Sequence, residues 1–382
     1  MEDQRLTWEE ARRRYKEPVP KLTAMRYAIT YNFLHYFIVT ANYVLSVKEK
    51  FITPSNAPTL VKRYACRPKL PIRIFYPKSF DATSQEMLPT IFSIHGGGFV
   101  IGDPRDDDMP NYSFANMNSV LVIALNYTKA PRKRFPNPIC DIEELILAAL
   151  ADSSLPIDHD RVALMGASAG GNLALSVSIL PSMCGNGDGV RRIKTVIPLY
   201  PVVDMSTRRE YKITTRQYKP SLGGFRANPK DFLLRLSPVF DAAYTRSGQD
   251  LYDPSLSPIY APKDMLPPNI FFLGIELDML AGEAWRMACD LAGREVGDEI
   301  VGQKEPGPVG QLILDDERFS FEVKTEHRNI RWLLIPDQIH GFDHYQEMKL
   351  LHGDKKLCED AELKMKEAQK LIGKWLFEGP FA

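Results

Sequence analysis

Two short stretches carry residue types that could do chemistry together. One is Arg161-Val-Ala-Leu-Met-Gly-Ala-Ser-Ala-Gly-Gly-Asn172, which holds Gly166-x-Ser168-x-Gly170 where an apolar run meets a helix-like one. A serine on so tight a strand-to-helix turn needs small neighbours, and Gly166, Ala167, Ala169, Gly170 and Gly171 supply them. That turn exposes the hydroxyl, and the following helix aims its positive end at the same place. The other stretch is His95-Gly96-Gly97-Gly98, directly behind the apolar run Leu88–Ile94. Glycines there cost backbone entropy, so the loop must need positive φ or close backbone approach. A phosphate loop would place lysine and Ser/Thr behind its glycines, whereas Phe99-Val100-Ile101 offers neither. Bare N–H groups that stabilise a tetrahedral oxyanion fit better, with Ala169, next after the serine, as a further donor.

A serine hydroxyl is a weak nucleophile at neutral pH and needs a histidine base that a carboxylate holds in place. On elbows of this kind the partners follow in the order serine, acid, histidine. His340 stands just beyond Trp332-Leu-Leu-Ile-Pro336 and before Gly341-Phe342, in a loop after a strand; His344 is its rival. His35, His159, His327 and His352 read as surface or packing residues. Asp278 ends the strand-like Asn269–Asp278, with Glu276 as the competing acid, and Asp204 reads as structural.

These groups need a frame. Short β-branched runs alternate with helix-like segments from residue 70 to 201, the pattern of a parallel sheet with crossovers. Strands are expected at Pro71–Tyr76, Thr90–Ile94, Val120–Tyr127, Arg161–Met165, Thr195–Tyr200, Asn269–Ile275 and Ile330–Ile335, with a short exposed one at Arg318–Lys324. Helices are expected at Asp141–Ala151, Asn172–Leu180, Pro229–Tyr244, Gly282–Ala292 and Asp354–Leu376. Residues 1–55 and 205–250 break the rhythm, are helical and aromatic, and could form one lid over the site. The core would then comprise residues 56–204 and 251–382, with a surface excursion over 293–329.

Charge is balanced, 48 basic against 48 acidic residues, so no basic field points to nucleic acid. The clusters Arg12–Arg14, Arg132–Arg134 and Arg208-Arg209 read as solvated faces, and Asp106-Asp107-Asp108 as a solvated loop rather than a cation site. Five scattered cysteines with no CxxC pair read as reduced, buried thiols, which favours the cytoplasm and neither a disulfide framework nor a metal site. The charged N-terminus is not a signal-peptide core. Tyr27–Val47 has no charged residue, yet its tyrosines, asparagines and histidine favour a substrate-facing helix over membrane contact or an N-terminal membrane anchor.

Together the motifs resemble the hormone-sensitive-lipase-like family of α/β-hydrolase esterases from residue 70 onward. They are His95-Gly-Gly-Gly98, Asn126-Tyr-x-x-Ala-Pro131 with Phe135-Pro136 and Asp141, Gly166–Gly171, Tyr200-Pro-Val-Val-Asp204, Asp278-Met-Leu280 and His340-Gly-Phe342. The resemblance implies an α/β-hydrolase fold with a mostly parallel sheet and a helical cap, and oxyanion donation by Gly97, Gly98 and Ala169. It also implies short to medium acyl esters of small molecules as substrates, and no cofactor or metal. Two departures stand out: Met279-Leu-Ala-Gly-Glu283 replaces the family's usual proline-leucine-x-aspartate after the acid, and the 293–329 excursion is long. The triad specifies chemistry and not the acyl partner. A biosynthetic enzyme cleaving amides or thioesters, or running cyclisation or condensation, would carry the same motifs. So would a non-catalytic small-molecule receptor, although such a protein is expected to lose a triad member and this chain keeps all three.

Overall fold

The computed structural model describes residues 6–49, 51–187, 189–297, 300–345 and 354–382; His352 lies outside them. The strands are β1 (Leu60–Lys62), β2 (Ile72–Phe75), β3 (Leu88–Ile94), β4 (Leu121–Leu125), β5 (Ile157–Ala167), β6 (Thr195–Leu199), β7 (Asn269–Ile275), β8 (Ser320–Lys324) and β9 (Asn329–Ile335). They form one nine-stranded sheet in the order β1-β2-β4-β3-β5-β6-β7-β9-β8. The pairs from β4-β3 through β7-β9 are parallel, while β1-β2, β2-β4 and β8-β9 are antiparallel. β3, β4 and β6 are buried along their whole length. Their continuous apolar runs follow from having both faces covered.

The helices are α1 (Trp8–Ala11), α2 (Lys21–Glu49), α3 (Asp108–Asn118), α4 (Asn137–Leu150), α5 (Ala169–Ser178), α6 (Pro181–Cys184), α7 (Arg209–Lys212), α8 (Leu233–Tyr244), α9 (Ala281–Ala292) and a C-terminal helix, Lys355–Phe377. α4 buries Ile139, Ile142, Leu145, Ile146 and Ala149, an i, i+3, i+4 stripe, and shares one apolar cluster with α5 and α9. Phe114 and Ala115 of α3 and the apolar stripe of the C-terminal helix form the cluster on the other face.

Four expectations need correction. Asp106–Asp108 is not a solvated loop: Asp107 and Asp108 are buried, and Asp108 opens α3 while forming a two-pronged ion pair with Arg73 of β2 (Nε to Oδ1 2.6 Å). Cys66 and Cys140 are exposed thiols, whereas Cys184, Cys289 and Cys358 are buried; all five are free. Arg12 is not a bare solvated charge but lies over the Trp8 ring at 4.2 Å. Nor is α2 a substrate-facing helix. It packs along α8, none of its described side chains is fully buried, and Leu22, Met25, Ile29, Phe33, Tyr36 and Phe37 point to solvent. Among the described residues no helix is long and apolar enough to cross a membrane.

Between α1 and α2 the chain runs extended and is stitched in by backbone hydrogen bonds. Arg13 N donates to the Ser206 carbonyl (3.1 Å) and Arg208 N to the Ala11 carbonyl (3.1 Å). On the far edge Leu251 N donates to Arg14 (2.7 Å) and Lys16 N to Gln249 (2.9 Å). The N-terminal segment is thereby fixed against residues 206–208 and 248–251.

The buried Arg73–Asp108 pair joins the antiparallel edge of the sheet to α3. Removing one member of such a pair strands the other charge, so Asp108→Ala should lower unfolding free energy by about 3–5 kcal/mol in urea titration. A loss below about 1 kcal/mol, the range of surface pairs, would show that solvent reaches it.

Candidate active site

Ser168 follows β5, Asp278 follows β7 and His340 follows β9, so the three leave the carboxyl ends of strands that lie close together in the sheet. In open parallel sheets that end is where ligands bind. Ser168 occupies φ 54°, ψ −115°, a conformation an L-residue adopts only under constraint, at a cost of about 1–3 kcal/mol. The constraint is visible at Gly170, where an added Cβ would collide with the carbonyls of Ile94 and His95. Ser168 N donates to the Leu199 carbonyl of β6 (2.8 Å), which ties the turn to the neighbouring strand.

Ser168 Oγ lies 2.8 Å from His340 Nε2, and His340 Nδ1 lies 2.7 Å from Asp278 Oδ2. The network assigns the proton on Nδ1, donated to the carboxylate, and leaves Nε2 to accept from the serine hydroxyl. Asp278 is fully buried; its Oδ1 accepts from Leu280 N at 3.0 Å. Burial alone would depress His340, but the charge and hydrogen bond of Asp278, helped by Asp231 and Asp343, outweigh it and raise the imidazole above the ordinary histidine value.

The glycine loop lies beside the serine. Gly97 and Gly98 have φ of 103° and 58°, and a side chain on Gly98 would strike the Phe240 ring of α8. Ala169 is the first residue of α5, so its N–H lacks an intrahelical partner. Gly96, Gly97 and Gly98 line one cavity with Ala167, Ser168 and His340. Behind the loop, His95 Nδ1 donates to the Gly96 carbonyl (2.8 Å), and Nε2 accepts from Lys129 Nζ (2.9 Å). The His95 ring stacks on Tyr127 at 4.4 Å, and the Tyr127 hydroxyl donates to the carbonyls of His95 and Gly96. Gly166 closes the elbow from below, since a Cβ there would strike the Gly170 carbonyl.

The rivals fall elsewhere. His344 also lines the cavity, but its Nε2 is 3.5 Å from Asp107 Oδ1. Glu276 is fully buried with Oε2 2.7 Å from Lys219 Nζ, a position turned away from the histidine. Asp204 accepts from Ser206 N (2.8 Å) and Trp8 Nε1 (3.2 Å), which is structural work. His35 is half-buried, and His159 and His327 are exposed. Among the described residues no group of three or more His, Cys, Asp and Glu is placed to hold a metal.

Sequence reasoning missed four groups around this centre. Asp231 accepts from Met279 N at 2.9 Å, next to the acid, and burial with the charge of Asp278 raises its carboxyl. Arg216 donates from Nε to the Leu277 carbonyl at 2.7 Å and feels both carboxylates. Tyr200 sets its ring 4.9 Å from His340 while its hydroxyl donates to Asp343. Lys129 is the fourth; burial, opposed by Asp103, Asp106 and Asp141, brings its ammonium down to about 7. Asp231 and Arg216 sit in the irregular 205–250 stretch, where no periodic pattern marks them.

The cavity over Ser168 measures about 480 Å³. Its apolar walls come from Phe99, Met205, Phe232, Leu236, Phe240 and Met279, so the 205–250 stretch contributes aromatic lining and no described residue of 22–51 lines it. The space suits a small molecule.

Comparison with known proteins agrees with this architecture. Residues 91–307, more than half of the chain, match the family model described as alpha/beta hydrolase fold. An arylesterase of Saccharolobus solfataricus is 27% identical over 220 residues, 57% of this chain and 65% of that protein. Arylacetamide deacetylase of Oryctolagus cuniculus is 28% identical over 172 residues, 44% of this chain and 42% of that one. The matched stretch thus spans less than two thirds of either curated relative. Among solved structures, an esterase of Pyrobaculum calidifontis superposes with a TM-score of 0.62 at 19% identity, covering 96% of this chain and all of its own, a likeness of fold. With the sheet order, the elbow and the family match in agreement, the chain belongs to the alpha/beta hydrolase fold family, on its hormone-sensitive-lipase-like branch.

Proposed function

We propose that the protein is a serine carboxylic-ester hydrolase that works through an acyl-enzyme on short to medium acyl esters of small molecules. The observation that carries this reading is the hydrogen-bonded chain Ser168–His340–Asp278 on the floor of a cavity whose wall is the glycine loop. The esterases among its relatives support it.

His340 Nε2 takes the hydroxyl proton as Ser168 Oγ attacks the ester carbonyl, and the electron pair of the C=O moves onto oxygen. Gly97, Gly98 and Ala169 would donate N–H groups to that oxyanion, a contribution of about 3–4 kcal/mol per donor in comparable sites. The C–O bond to the alcohol then breaks, and His340 returns its proton to the leaving oxygen. Water repeats the sequence on the acyl-serine, with His340 again as base. Asp278 keeps the proton on Nδ1 and stabilises the imidazolium. Residues 1–55 and 205–250 act as a cap over the core, supported by the packing of α2 on α8 and by the backbone stitching of residues 13–16. The free thiols fit a reducing cytoplasm.

Ser168→Ala should fold normally and lose about 10⁶-fold in kcat on 4-nitrophenyl esters from acetate to laurate, with the wild type fastest on short or medium chains. Only a few-fold loss would overturn the assignment. Asp278→Asn should cost about 10⁴-fold through the wrong tautomer.

The base must be neutral to act, and its folded value is raised. kcat/KM should therefore climb with pH through a midpoint above about 6.5, the ordinary histidine value. Asp231 is one of the charges that raise His340. Asp231→Asn should move the midpoint to lower pH, and a midpoint that stays would show that Asp231 does not set it; a profile flat from pH 5 to 9 would remove His340 from the role.

A further inference from the structure

Part of the lining of the substrate cavity is charged, and its charges are poorly matched. Arg13, Arg208 and Arg209 line it together with Glu17, Glu210 and Asp241. Arg13 reaches no carboxylate within hydrogen-bond distance among the described residues: Glu17 Oε2 is 3.9 Å from its Nη1, and its Nε is buried without a partner. Glu17 is shared, since Arg208 Nη2 approaches its other oxygen at 3.7 Å, and Glu17 itself is 61% exposed. Among the described residues Arg209 pairs only with its exposed neighbour Glu210, at 3.1 Å.

A fourth cation crowds the place. Lys16 is half-buried, and its ammonium is held below the ordinary lysine value by burial and, against the pull of Asp241, by Arg13 and Arg209. Asp241 also serves Lys212, whose ammonium is already paired with Glu283. Glu17 and Glu210 are exposed to solvent, and Asp241 acts on Lys16 and Lys212 through its charge without an ion pair to Arg13 or Arg209 among the described residues.

The guanidinium is held there by backbone, not chance. Arg13 N donates to Ser206 and Arg208 N to Ala11, so both side chains project from a fixed two-segment ladder beside α7. A buried donor without a partner in a native structure calls for a ligand or an explanation. A guanidinium presents a planar fork that matches a carboxylate.

We propose that Arg13 and Arg209 form a carboxylate-binding subsite in the substrate cavity, so that the ester hydrolysed carries a free acid group. The proposal rests on the hydrolase reading for the ester and adds the acid. Phe99, Phe232, Leu236 and Phe240 would then enclose the apolar part of the substrate between the acid and the reacting carbonyl.

Two measurements separate the subsite from the parent reading. The first compares mono-4-nitrophenyl adipate with its neutral methyl ester as substrates. The wild type should favour the anion in kcat/KM by about ten-fold, as charge-assisted hydrogen bonds allow, and R13Q should bring the ratio near one. R14Q, which changes the neighbouring guanidinium bound to Asp250 on the outside (3.2 Å), should keep the preference. R209Q gives a second reading should R13Q fail to fold. The second measures binding of monomethyl adipate and dimethyl adipate to Ser168→Ala by calorimetry, where no turnover is needed. The monoanion should bind about ten-fold more tightly, and adding R13Q should erase the difference. Equal binding of the two, a preference that survives R13Q, or an equal loss in R14Q overturns the subsite. Tight monoanion binding in Ser168→Ala beside a wild type that hydrolyses neither ester would uphold the subsite and overturn the hydrolase reading.

Discussion

Everything in this site hangs on how closely β5, α5 and the loop after β3 approach one another. The first turn of α5 passes under the carbonyls that end β3, at a distance that excludes any Cβ on Gly170. Gly166 meets the Gly170 carbonyl in the same way. Those two contacts force the tight turn and hold Ser168 at φ 54°. They also bring the 96–98 loop against the serine, so that the hydroxyl and the glycine loop line one cavity. The parallel sheet supplies the rest, because strands running the same way end on the same edge.

Within that frame, electrostatics separates two buried histidines that differ little in burial. His95 is driven well below the ordinary histidine value by burial and then by Lys129, so it stays neutral and accepts a hydrogen bond. His340 suffers the same desolvation, yet carboxylates surround it and its value rises. One ring serves as a fixed strut for the glycine loop; the other accepts a hydrogen bond from the Ser168 hydroxyl. The choice is made by which charges lie within reach, not by the residue type or by its distance from water.

The parallel strands were legible because full burial writes itself into the sequence as unbroken apolar runs, and β7 was expected at its observed bounds. β1 was not, since its three residues, two of them exposed, carry no period. α3 escaped for a different reason. Asp106–Asp108 looks like solvent-seeking charge until Arg73, on another element, supplies its counter-ion. Long-range pairing of that kind leaves no local trace. The elbow, the glycine loop and the histidine stood out because each needs residue types that serve no other purpose at that spacing. Lys129 and Asp231 did not, because a buried charge is legible only once its partners are known.

The cavity wall shows why an uncharged aromatic stretch is a poor guide to a pocket. α2 is the most apolar-looking helix upstream of the sheet, yet it rests on the outside of α8 and sends much of its apolar surface outward. Upstream of the sheet, the described residues that reach the cavity are Arg13 and Glu17, from the highly charged segment before α2, which reads as solvated. Backbone hydrogen bonds hold that segment, and the Trp8 ring lies between Arg12 and Arg286 at 4.2 and 4.3 Å, while its Nε1 binds Asp204 behind β6. Backbone pairing does not care which side chain it carries. The ladder therefore sets where the side chains of residues 13 and 208 stand, whatever those side chains are.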